Sequence, residues 1–213
     1  MILLGLTGSI GMGKSTAAAM FRKAGVPVFD ADAEVHRLQG PGGRLLAAIE
    51  ALHPGTTGPS GVDRVALGKA VFGDPAALAR LERLIHPQVG AGQRAFLRRH
   101  RSRRLVVVDV PLLFEKGGWR RVDAIAVVSA PAWMQRRRVL ARPGMTQARL
   151  ARILRLQTPD AEKRCRADVV IDTGGGLART RDQVRRLVAC LSRPPGRYDA
   201  TCVKSSSTPK RRA

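Results

Sequence analysis

Five short apolar runs punctuate the chain: Ile2 to Thr7, Val26 to Phe29, Leu105 to Val110, Ala124 to Ser129 and Asp168 to Ile171. Each is rich in Val, Ile or Leu and continuous rather than alternating, which is the pattern of strands covered on both faces in a parallel sheet. Between them apolar residues recur at helical spacing. Ala17, Met20, Phe21 and Ala24 share a face after a glycine-rich loop, and Leu78, Leu81, Leu84 and Ile85 do so after the start signal Asp74-Pro75. Strands alternating with helices predict an α/β domain, a five-stranded parallel sheet with helices on both faces.

The spacing of the strands is uneven. From Asp32 to Arg104 no strong strand pattern occurs, only helical stretches broken by Pro41-Gly42-Gly43 and by the turn-rich run His53 to Gly61. This span reads as a helical insertion beside the sheet. A second helical stretch, from Pro131 to Arg166 and dense in Arg, separates the fourth and fifth apolar runs.

The 213 residues are 44% hydrophobic and only 4% aromatic, enough to bury one substantial core without staples. No run of about 18 apolar residues is present, so no spanning helix is expected. Met1 to Leu6 lacks a basic flank and runs straight into glycines, unlike a signal peptide. Cys165, Cys190 and Cys202 are odd in number and show no C-x-x-C pairing, which predicts neither a zinc cage nor a disulfide framework and makes the cytoplasm the expected compartment. The formal net charge of +22 would attract phosphates of any kind without saying which. Residues 192–213, with Arg193, Arg197, Lys204, Lys210, Arg211 and Arg212 among Pro and Ser, have little to bury and read as a basic, disordered tail.

Gly8-Ser9-Ile10-Gly11-Met12-Gly13-Lys14-Ser15-Thr16 satisfies G-x-x-x-x-G-K-[ST] directly after an apolar strand and before an amphipathic helix, the context that motif requires. Gly8, Gly11 and Gly13 let backbone N–H groups close on phosphate oxygens, and the helix adds its positive end. Lys14 would reach the β and γ phosphates, the Ser15 hydroxyl would ligate Mg²⁺, and Thr16 would donate to the α phosphate. Met12 lies within the same loop. A guanine-reading N-K-x-D segment is impossible in a chain without Asn, which leaves ATPases and small-molecule kinases.

A kinase needs a group to orient or deprotonate its acceptor hydroxyl. Phe29-Asp30-Ala31-Asp32 offers two carboxylates at the C-terminal end of a predicted strand, the edge where open α/β sheets hold ligands. Either could instead cap the following helix. Asp109, ending another strand before Pro111, suits Mg²⁺ or its waters, and it too could be a turn residue. Among Arg136, Arg137, Arg138, Arg142, Arg149, Arg152 and Arg155, one or two would suffice to close over a transferring phosphoryl group, the rest forming a solvated face. On the residues alone, a kinase acting on a nucleoside or sugar-like acceptor and a basic nucleic-acid-binding ATPase both remain open.

Taken together the segments resemble the dephospho-CoA kinase family. The loop is followed by V-F-D-A-D with His36, by V-D-R-x-x-L-x-x-x-V-F at Val62 to Phe72 and by L-E-R-L-I-H-P at Leu81 to Pro87. D-V-P-L-L-F-E follows at Asp109 to Glu115, then Gln135 with Arg138 and Arg142, Gln157 with Glu162-Lys163, and A-D-V-V-I-D at Ala167 to Asp172. The resemblance implies a P-loop NTPase fold with three α/β/α layers: a core at about 1–31, 104–130 and 167–191, a helical CoA domain at about 32–103 and a helical lid at about 131–166. It implies transfer of the ATP γ phosphate to the 3′-hydroxyl of dephospho-CoA, with Mg²⁺, by a monomer or small homo-oligomer needing neither nucleic acid nor membrane. In those terms Asp32 matches the carboxylate acting on the acceptor hydroxyl, Lys14 the loop lysine and Arg142 the lid arginine. His36, His86 and Leu112 fall in segments lining the acceptor side. Thr173 stands where the family usually places an Asn near the adenine, and Ser9 where it usually has Gly.

Overall fold

The structure, a computed structural model, describes residues 1–193, so all but Ser192 and Arg193 of the expected tail lie outside the described residues. In chain order the elements are β1 (Ile2–Thr7), α1 (Lys14–Lys23), β2 (Val28–Asp30), α2 (Ala31–Gln39), α3 (Leu46–Leu52), β3 (Thr57–Gly58), β4 (Gly61–Val62), α4 (Arg64–Val71) and α5 (Pro75–Arg99). They continue with β5 (Leu105–Asp109), β6 (Ala124–Ser129), α6 (Ala132–Leu140), α7 (Gln147–Leu156), α8 (Asp160–Arg166), β7 (Val169–Asp172) and α9 (Gly176–Leu191). Two compact units divide the chain: Met1–Phe29 with the residues from His100 onward, and Asp30–Arg99.

The first unit carries a five-stranded sheet in the order β2-β5-β1-β6-β7, parallel in the β1–β5, β1–β6 and β6–β7 ladders. Period-two geometry sorts each buried strand onto two faces. Leu4 and Leu6, Leu105 and Val107, and Ala124, Ala126 and Val128 meet Ala17, Ala18 and Phe21 of α1 and Val184, Leu187 and Leu191 of α9. Complete burial of Phe21 contributes about 1.5–3 kcal/mol. On the opposite face Ile125 and Val127 pack with Leu113, Phe114, Val122 and Ala167. Gly5 makes that approach possible, since a Cβ there would lie 2.9 Å from Leu113 Cδ2.

Strand edges shift by one or two residues from the apolar runs. Pro27 has no N–H to give, so the second strand begins at Val28, although the Pro27 carbonyl still accepts from Val107 N at 2.9 Å. On α1 the buried positions are Ala17, Ala18 and Phe21, while Ala24 caps the helix and is exposed.

The second unit is helical, with one feature the hydrophobic pattern concealed. Within the turn-rich run, β3 and β4 pair antiparallel, Thr57 opposite Val62 and Gly58 opposite Gly61. Glu50 organises this hairpin by accepting from Gly55 N, Thr57 N and Thr57 Oγ1. The unit's core is Leu38, Leu45, Ile49, Leu67 and Leu81, with Leu84 and Ile85 against it. Asp74 caps α5 as its sequence position suggests, taking Ala76 N at 2.8 Å and Ala77 N at 3.0 Å. Leu78, expected on the buried face, is 46% exposed, and Ala77 takes the inward position instead.

Candidate active site

Strand β1 is the centre of the sheet, with β2 and β5 on one side and β6 and β7 on the other, so the loop after β1 sits where strand order reverses. Residues 8–13 form that loop. A side chain at Gly8 would press its Cβ to 2.7 Å from the Val128 carbonyl of β6. Gly11, at φ 77°, would drive one into Val139 of α6. Gly13, also left-handed, is the N-cap of α1, whose first turn exposes Ser15 and Thr16 beside Lys14. The loop therefore ends on a helix N-terminus with two hydroxyls exposed, an arrangement suited to a polyphosphate.

Register sets what flanks it. Leu6 of β1 lies opposite Asp109 of β5, so Asp109 reaches the same sheet edge as the loop. Lys14 Nζ lies 2.5 Å from Asp109 Oδ1, with the carboxylate side chain 2% exposed and the lysine 16%. A buried carboxylate without a cation would be costly, which explains the short pair. The Ser15 hydroxyl and the Asp109 carboxylate are hard oxygen donors, the chemistry Mg²⁺ prefers, and a Mg²⁺ held chiefly by phosphates needs only one or two such protein groups. No cluster of three or more His, Cys, Asp or Glu residues able to hold a metal is found among the described residues.

On the β6–β7 side, Ser129 lies opposite Asp172, and the next residue, Thr173, donates its N–H to the Ser129 carbonyl at 2.9 Å. The Thr173 hydroxyl donates to the Met12 carbonyl at 2.7 Å and accepts from Arg138 at 3.1 Å. Thr173 is buried, so its side chain faces the back of the loop and is committed there, a different use from the adenine contact expected of its position. Met12 likewise turns its side chain inward, where Sδ accepts from Ala130 N at 3.2 Å, and offers only its main chain to the loop.

Two glutamines that the motifs contained without a role hold the loop from the Arg-rich segment. Gln135 Nε2 of α6 donates to the Ile10 carbonyl at 2.8 Å, and Gln157 Oε1, just after α7, accepts from Ile10 N at 3.1 Å. Gln135 is buried, which no local sequence pattern signalled. Of the arginines, Arg138 is tied to Thr173, Arg136 to Gln147 and Arg149 to the Gly144 carbonyl, whereas Arg142 is exposed just beyond the end of α6.

The segment is anchored by Glu115. Its Oε1 accepts from Thr158 N at 2.7 Å and lies 2.9 Å from the ammonium of Lys163, which is completely buried. Burial would push the Glu115 carboxyl up, but the Lys163 ammonium and the backbone donors outweigh it and hold the group below the ordinary carboxylate range. Leu112, from the same segment as Glu115, is half-buried.

In the second unit, Asp30 is the N-cap of α2, accepting from Ala33 N at 2.9 Å, so the capping alternative holds for it. Asp32 and His36 are exposed and one turn apart on α2, hence on one face. His36 Nδ1 contacts Arg64 of α4. A guanidinium only donates, so Nδ1 accepts and the ring hydrogen sits on Nε2. His86 is exposed on α5, immediately before Pro87.

A family model described as dephospho-CoA kinase matches residues 2–179. A protein of that name from Novosphingobium aromaticivorans is 62% identical over 189 residues, covering 89% of this chain and 94% of its own. One from Zymomonas mobilis is 50% identical over 191 residues, covering 90% and 97%. A crystal structure from Thermus thermophilus is similar with a TM-score of 0.78 at 37% identity, over 88% of this chain and 96% of that one. A dephospho-CoA kinase from Campylobacter jejuni gives 0.63 at 21% identity over 89% and 97%, a likeness of fold.

Proposed function

The chain belongs to the dephospho-CoA kinase family, and on that footing we propose how its residues share the transfer of the ATP γ phosphate to the 3′-hydroxyl of dephospho-CoA, the last step of coenzyme A synthesis. It is a phosphotransferase with an alcohol acceptor, a reaction in which positioning and charge stabilisation do most of the catalytic work.

Residues 8–16 cradle the triphosphate through main-chain N–H groups and the N-terminus of α1. Lys14 exchanges its contact with Asp109 for the β and γ phosphate oxygens as ATP enters. Ser15 and Asp109 would hold Mg²⁺, which when bound neutralises charge on the β and γ phosphates. Asp32 accepts a hydrogen bond from the ribose hydroxyl, orients its oxygen for in-line attack and takes its proton as the new oxygen–phosphorus bond forms and the bond from the γ phosphorus to the β–γ bridging oxygen breaks, releasing ADP. His36, with its hydrogen on Nε2, is a donor on the same helical face, and the family's segments assign acceptor-binding roles to His86 and to Leu112. Arg142, on the 131–166 segment acting as a lid, meets charge developing on the transferred group.

The observation that carries this reading is the Lys14–Asp109 pair at 2.5 Å, at the mouth of a glycine loop whose sequence continues into the family's other segments. The test is ATP consumption with dephospho-CoA, adenosine or AMP as acceptor, with product identified by mass. Turnover confined to dephospho-CoA supports it, and turnover confined to the other two overturns it.

A further inference from the structure

The phosphate loop is held from behind at alternate carbonyls. Gln135 Nε2 donates to the Ile10 carbonyl at 2.8 Å, and the Thr173 hydroxyl donates to the Met12 carbonyl at 2.7 Å. All peptides among the described residues are trans. In a trans peptide the C=O of one residue and the N–H of the next point in opposite directions. Turning the Ile10 carbonyl toward Gln135 therefore turns the Gly11 N–H away from it, and turning the Met12 carbonyl toward Thr173 does the same for Gly13. Flipping either plane would put a carbonyl lone pair where an amide hydrogen should be.

We propose that Gln135 and Thr173 are positioning residues that set the Gly11 and Gly13 amides to face the phosphates. The proposal rests on reading residues 8–16 as the phosphate loop. The Thr173 hydroxyl must donate to a carbonyl, because Met12 O and Ser129 O can only accept and Arg138 can only donate, and Met12 O at 2.7 Å is nearer than Ser129 O at 3.3 Å. Gln135 is oriented the same way, because its amide NH₂ is the only part of it that can serve the Ile10 carbonyl. Both residues are more than nine-tenths buried, so water does not readily replace a lost donor. Arg138, one turn from Gln135 on α6, holds Thr173 through its hydroxyl and its carbonyl, so α6 contacts the loop directly and through Thr173.

The test begins with the unaltered protein. Backbone amide resonances of residues 8–16 are followed by NMR as ADP with Mg²⁺ is added. Downfield movement of the Gly11 and Gly13 protons, reporting phosphate hydrogen bonds, is expected. If Lys14 and Ser15 move but Gly11 and Gly13 do not, the positioning proposal fails while the phosphate loop stands. If none of the nine moves at saturating ADP, the loop reading itself fails. Calorimetric titration of the same probe into folded variants then separates positioning from stability. Thr173→Val and Gln135→Leu are each expected to weaken ADP binding about tenfold or more, the cost of one buried carbonyl left unpaired. Thr173→Ser, which keeps the hydroxyl, is expected to recover most of it. Equal affinity in wild type, Thr173→Val and Gln135→Leu, with only their melting temperatures lowered, would overturn the proposal.

Discussion

Lys14 Nζ and Asp109 Oδ1 stand 2.5 Å apart, joining the first residue of α1 to the last residue of β5 across the sheet's central edge. The pair is a structural element before any nucleotide arrives. Lys14→Ala is expected to abolish measurable turnover and also to lower the melting temperature, because it leaves a 2% exposed carboxylate without its cation. Adding Asp109→Asn to it should restore part of the lost stability and none of the activity. Thermal denaturation of the two single variants and the double variant checks this, and strict additivity would show that the pair is not coupled.

Arg142 lies exposed just beyond the end of α6, where its side chain can meet a ligand. Arg142→Ala is expected to lower kcat by about 100-fold, the scale of losing one charge-stabilising donor, with a smaller rise in KM for the acceptor. Steady-state kinetics with both substrates checks the split. A large KM effect with kcat intact would make Arg142 a substrate anchor.

Arg64 fixes the hydrogen of His36 on Nε2. Arg64→Ala should raise KM for dephospho-CoA while leaving ATP affinity unchanged, since it frees the ring to rotate and change tautomer. Parallel titrations of ATP and dephospho-CoA check it, and unaltered acceptor affinity would remove His36 from the acceptor side.

Glu115 carries a pH consequence. Although burial opposes it, the neighbouring Lys163 ammonium depresses the Glu115 carboxyl in the folded chain, so the folded state binds this proton less readily than the unfolded state. The stabilisation it provides is present above the ordinary carboxylate range and is lost as pH falls through the depressed value. Glu115→Gln should accordingly be less stable than wild type near neutral pH, with the difference shrinking on acidification. Urea denaturation at a series of pH values checks the sign, and a difference that grew toward acid would contradict it.

The sheet was legible because its strands are buried on both faces, which leaves continuous runs such as Leu105 to Val108 that no surface helix would carry. The phosphate loop was legible because its chemistry demands glycines at fixed offsets, and Gly11 and Gly13 do adopt the left-handed conformation. The β3–β4 hairpin was hidden because two-residue strands show no period and depend on Glu50, seven positions before Thr57, for their hydrogen bonds. Leu78 misled because a helical period read one position off turns an exposed residue inward. The loop's supports were the least visible part. Gln135, Gln157 and Thr173 act through single hydrogen bonds across 125 to 161 residues of chain, and nothing local distinguishes them from surface polar residues.

The role of Asp32 is tested most directly by Asp32→Asn, a change that keeps size and hydrogen-bonding reach while removing the proton acceptor. Calorimetry gives its ATP affinity, and rapid-quench single turnovers with saturating ATP and dephospho-CoA give its chemical step. ATP affinity equal to wild type, with the chemical step slowed about 10²–10⁴-fold, is the expected result. Phosphoryl transfer at the wild-type rate from the Asn variant would contradict the assignment of Asp32 as the group that receives the acceptor's proton.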